Sequence, residues 1–103
     1  MDRFRIENPM VWVVVETVGG QERFVGQQDP AQDVAFIPFF KEKEEAQSGL
    51  RLLDRGQGRA YEVQAVRYRE LARDASSNGF LLFLVDAAGS VLAKINPHHQ
   101  AST

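Results

Sequence analysis

Two stretches are apolar at every position: Met10-Val-Trp-Val-Val-Val15 and Phe80-Leu-Leu-Phe-Leu-Val85. A run without alternation has no wet side, so each predicts an interior strand covered on both faces. Between them the period changes several times. Gly19-Gly20 supplies positive-φ positions, and Glu22-Arg-Phe-Val25 then resumes an extended pattern, which predicts a hairpin whose Gln-rich second strand lies at an edge. Gln28–Asp33 reads as a loop and Val34–Ile37 as the next strand, with Pro38 marking the end of pairing because it has no amide hydrogen. Beyond it Phe39 or Phe40, Ala46, Leu50 and Leu53 recur at helical spacing, predicting an amphipathic helix that ends near Gly56 or Gly58. Gly49 inside that helix costs roughly 1 kcal/mol relative to Ala, and it is read as simply tolerated.

Tyr61 to Val66 alternates, with Tyr61, Val63 and Ala65 on one face and Glu62 and Gln64 on the other, a strand buried on one side. From Arg67 to Ser76 the period becomes helical, gathering Tyr68, Leu71, Ala72 and Ala75, with Asn78-Gly79 as the carboxy-terminal cap. Asp86-Ala-Ala-Gly89 then turns the second apolar run into Val91–Ile95, a closing hairpin. Residues 1–9 read as a loosely attached lead-in arm and residues 96–103 as a flexible tail.

The order is therefore β-β-β-α-β-α-β-β. It predicts a single α+β domain, residues 1–103: one mixed sheet of about six strands with two helices packed on one face and the two apolar runs side by side at its centre. The segment from Val34 to Val66 has the length of a parallel crossover. Helices on one side leave the other sheet face bare, to be covered by the arm through Phe4 and Ile6 or by a second copy of the chain. The candidate interface is Trp12, Val14, Phe80, Leu82 and Leu84, or the set of opposite parity.

A chain of 103 residues supports one modest core, and 44% apolar with 25% charged residues is ordinary globular composition. With no cysteine there is neither a disulfide framework nor a thiolate ligand or nucleophile, which fits a reducing cytoplasm. The apolar run after the amino terminus is too short for a signal-peptide core or a membrane span, so neither export nor a membrane partner is expected.

The net charge of −2 is unevenly distributed: residues 1–50 carry five Lys and Arg against nine Asp and Glu, whereas residues 51–73 carry six Arg against three acids. Arg51, Arg55, Arg67, Arg69 and Arg73, with Arg59, are the candidate anion-binding residues. Guanidinium groups fork onto phosphates, and Tyr61 or Tyr68 would offer a base something to stack on. Interleaved acids and a pI of about 5.6 favour surface ion pairing over nucleic-acid binding.

Other chemistry finds little support. His98-His99 are adjacent on the tail without a neighbouring acid, so no metal is assigned. Glu42, Glu44 and Glu45 sit among lysines on an exposed helix and receive no catalytic role. Ser76-Ser77 have no histidine in the folded body to serve as base. The glycine pairs lack the spacing of phosphate loops, so no cofactor is expected.

Ile37-Pro38-Phe39-Phe40 followed by Glu44-Glu45-Ala46, together with Tyr61–Val66, Arg69-Glu70-Leu71 and a strand after Asn78-Gly79, resembles the amino-terminal domain of SseB-type bacterial proteins. More distantly it is similar to Tic22-like import proteins, from which it departs in lacking a targeting segment. The resemblance spans Val11 to Ile95 and supplies no catalytic residues. It implies a small non-enzymatic interaction domain, a homodimer or a binder of a protein partner. Weak nucleic-acid binding through Arg51–Arg73 and a small-molecule pocket near Pro38 are the alternatives.

Overall fold

A computed structural model describes residues 3–51 and 59–97. Among them the chain runs α1 (Arg3–Glu7), β1 (Met10–Val18), β2 (Gln21–Phe24), β3 (Gln27–Asp29), β4 (Val34–Phe40), α2 (Lys43–Leu50), β5 (Ala60–Arg67), α3 (Tyr68–Asn78), β6 (Leu81–Val85) and β7 (Val91–Ile95). It is an α+β fold with a single mixed sheet.

The sheet is built outward from β1. One edge of β1 pairs along its length with β5, from Met10 opposite Arg67 to Thr17 opposite Ala60. Its other edge is shared. Val15–Val18 pairs with β2 through the Gly19-Gly20 turn, whose φ angles are 57° and 83°, and Trp12 and Val13 pair with Phe40 and Phe39 of β4. β2 and β3 reverse at Val25-Gly26, where the Val25 amide donates to the Val14 carbonyl at 2.9 Å, and so form a wedge that splays β1 from β4. β4 then pairs in parallel with β6, and β6 antiparallel with β7.

Both apolar runs are interior, as their patterns predict, but β4 lies between them, so they do not touch edge to edge. The crossover also differs from expectation. β4 and β5 run parallel to each other with antiparallel β1 between them, because the continuous β1–β5 ladder outcompetes direct pairing.

The helices lie on opposite faces of the sheet, not on one. Val11, Val13, Val15, Ile37, Phe39, Leu82 and Leu84 pack against Tyr68, Leu71, Ala72 and Ala75 of α3, all essentially buried. The alternate positions, Phe40, Phe83 and Val85 with partly buried Trp12, Phe36 and Val63, pack with Ala46 of α2. Strands that are apolar at every position need cover above and below, and here each helix supplies one side.

Pro38 is buried in mid-strand. Extending the β1–β4 register by one step would set it opposite Val14, whose carbonyl is already taken by Val25. The wedge thus leaves the one position where a missing amide costs no ladder bond. Phe39 and Phe40 are accordingly strand residues on opposite faces rather than the start of a helical stripe. α2 runs only from Lys43 to Leu50, with Arg51 as its carboxy-terminal cap, so it ends before the predicted Gly56 or Gly58, which themselves lie outside the described residues.

α2 rests so closely on the sheet that a Cβ at Gly49 would fall 2.4 Å from Cζ of Phe40. Glycine there is required by contact, not merely tolerated. The arm is also held. Phe4 of α1 stacks on Tyr68 at 5.4 Å and meets Phe39 edge-on at 5.6 Å, beside α3, while Ile6 stays exposed.

Candidate interaction surface

The register divides the predicted interface between the two faces. Trp12 is paired with Phe40 and belongs to the α2 side, whereas Leu82 and Leu84 pack under α3, with Phe80 beside them. Val14 is 1% exposed, Leu82 0% and Leu84 4%, so these three are core, and only Trp12 and Phe80 retain partial access. The cause is a parity offset. Antiparallel pairing to β4 followed by parallel pairing to β6 puts the even positions of β1 with the odd positions of β6.

The arginines are likewise dispersed. Arg59 and Arg67 sit at opposite ends of β5, about 26 Å apart for an extended strand. Arg59 Nη1 donates to Glu16 Oε2 at 3.0 Å, and Arg67 Nη1 donates to the Asn8 carbonyl at 3.3 Å. Arg69 caps the carboxy-terminal end of α1, donating from Nε to the Arg5 carbonyl (2.7 Å) and from Nη2 to that of Ile6 (3.2 Å), while the Asn8 side chain accepts from its amide. Arg51 is exposed at the end of α2, Arg73 is exposed on α3, and Arg55 lies outside the described residues. Tyr68, fully buried, cannot stack on a base. His98 and His99 also lie outside the described residues, among which no group of three or more His, Asp or Glu could hold a metal ion. No helix among them is long and apolar enough to cross a membrane.

Sequence reading passed over Glu16, the buried charged residue of the core, 6% exposed near the end of β1. Its Oε1 accepts from Arg23 Nε at 2.9 Å across the β1–β2 pair, and Arg59 completes a triad with its other oxygen. A lone acid within an otherwise β-branched run was the available signal. A groove beside it is lined by Arg23, Gly26, Gln28, Arg59 and Phe80. Pro38 lines none of the grooves described here.

The surface that remains unsatisfied is the β7 rim. β7 pairs with β6 alone among the described residues, leaving its outer backbone edge without a strand partner. Val91 is 44% and Leu92 57% exposed. Ala93 and Ile95 point to the α3 side opposite Leu84 and Leu82, while Leu92 and Lys94 share the α2 side, where Lys94 Nζ lies 5.2 Å from the ring centre of Phe83 and Phe36 stacks on that ring at 4.1 Å. The other rim, β5, carries Glu62, Gln64 and Arg67 and no large exposed hydrophobic residue.

Comparison of the chain with protein-family models, with curated protein sequences and with solved structures gives no match in any of the three.

Proposed function

We propose that the chain is a non-enzymatic self-associating module, a homodimer in which β7 of one copy pairs antiparallel with β7 of another to extend the sheet. The observation that carries this is the exposure of Val91 and Leu92 on a rim strand whose outer edge is unpaired among the described residues. Such an edge is a template for strand addition.

The strand is complementary to itself. In a pairing centred on Ala93, Leu92 of one copy faces Lys94 of the other, whose aliphatic stem covers it while the two ammonium groups stay apart; the bulge that sets Val91 opposite Val85 places Val91 on the α2 side, off the face of Ile95. Half-burying each leucine contributes about 1 kcal/mol and each new ladder hydrogen bond a similar amount, against an association cost of at least about 4 kcal/mol, so the dimer is weak. The resemblance to SseB-type interaction domains and the lack of cysteine go with this reading and with a cytoplasmic location.

Sedimentation velocity from about 1 to about 500 μM, a span that brackets such affinities, tests it. The expected result is a concentration-dependent dimer that Leu92→Lys abolishes by setting lysine against lysine across the pair. A monomer throughout the range, or a dimer indifferent to that substitution, would refute it.

A further inference from the structure

Three arginines line one groove of about 290 Å³ at the seam between α1 and α3. Arg5 comes from α1, Arg69 and Arg73 stand one turn apart on α3, Ala72 lies between them, and Ser76 and Ser77 close the far end. Carboxylates line each of the other grooves described: Glu7 in one, Glu22, Glu70 and Asp74 in another, Glu16 and Asp74 in a third. This groove has none among the described residues.

In a chain of net charge −2, general basicity does not explain such a concentration. Like charges one helical turn apart are destabilising by a few tenths of a kcal/mol, and docking α1 brings in a third. Arg69 is held in place by two carbonyls of α1, whereas Arg73 makes no hydrogen bond or ion pair among the described residues. One guanidinium is thus preorganised, a second is uncommitted, and a hydroxyl stands beside them.

The geometry points to a binding site for a phosphate monoester of a small molecule. The phosphate lies across the seam beside Arg5, accepting hydrogen bonds from Arg73 and Arg69, with Ser77 at the rim. The groove exceeds a phosphate in volume and leaves room for a short polar body. Because the ligand contacts both helices, occupancy fastens α1 to α3 and couples the arm to the site.

The test is titration of the full chain, followed by amide NMR at constant ionic strength, with glycerol 3-phosphate, inorganic phosphate and a single-stranded decanucleotide in separate arms. The expected result is saturable shifts centred on α1 and α3 with glycerol 3-phosphate, and slower exchange of the Asn8 amide, which donates to the Phe4 carbonyl. Arg73→Gln weakens binding about tenfold, the loss of one charge-assisted hydrogen bond, while Arg51→Gln, on the other side of the sheet, stays within about twofold. Absence of saturation below about 50 mM, equal losses in the two variants, or binding confined to the oligonucleotide would overturn the assignment. Saturation by inorganic phosphate alone would overturn the organic body of the ligand.

Discussion

Gly49→Ala inverts the usual sign of a helix substitution. In an exposed helix, replacing Gly by Ala stabilises by up to about 1 kcal/mol, because the backbone of the unfolded chain has less freedom to lose. At Gly49 the added methyl carbon would stand 2.4 Å from Cζ and 2.7 Å from Cε2 of Phe40. Contact needs about 3.5 Å or more, so either the ring or α2 must give by roughly 1 Å. Phe40 is 1% exposed and packed with Ala46, Phe83 and Val85, which leaves the ring nowhere to go.

Overpacking of this kind costs about 1–3 kcal/mol. Set against the helix gain, the net is a loss of about 1 kcal/mol, which in a domain of this size lowers Tm by about 4–8 °C. Urea unfolding of wild type, Gly49→Ala and the exposed control Gln47→Ala measures it. A second variant, Phe40→Leu with Gly49→Ala, should recover part of the loss relative to Phe40→Leu alone, since the clash is with the ring. A Gly49→Ala protein as stable as wild type, or more so, would refute the close approach of α2 to the sheet.

Two further outcomes follow from the same packing. Glu16→Gln removes the charge that holds Arg23 and Arg59, whose side chains remain 62% and 39% exposed. Because solvent screens both partners, the loss is about 1–2 kcal/mol rather than the larger value of a dry pair. A double-mutant cycle with Arg59→Gln should be non-additive, and additivity would show the triad to be incidental. At Gly26 a Cβ would meet Cε1 of Phe80 at 2.6 Å, so Gly26→Ala should cost about 1 kcal/mol. Phe80 is only half-buried, and Phe80→Leu should relieve most of that cost in thermal denaturation.

Much of this fold was legible one residue at a time. Tyr68, Leu71, Ala72 and Ala75 repeat with a helical period and are all buried, Gly79 caps α3 with φ of 78°, and the closing hairpin joins the strands that its turn residues imply. These are local matters of period, capping and turn chemistry, which neighbours in sequence decide. The arrangement of the elements is not local. Runs apolar at every position demand cover on both faces without saying which element provides it, and the parity that sorts Trp12 from Leu82 depends on the register of β4 between them.

The surfaces divide in the same way. That Arg69 caps α1, that Glu16 reaches Arg59 across 43 positions, and that Arg5 joins Arg69 and Arg73 in one groove follow from how distant segments dock. The pattern of residues along the chain determined a small α+β domain with an arginine-rich middle, and composition alone excluded thiol chemistry. Tertiary packing alone decided which of those arginines are committed to the fold and which strand is left at the rim, because ion pairs and strand edges are properties of contacts between segments that the chain order does not specify.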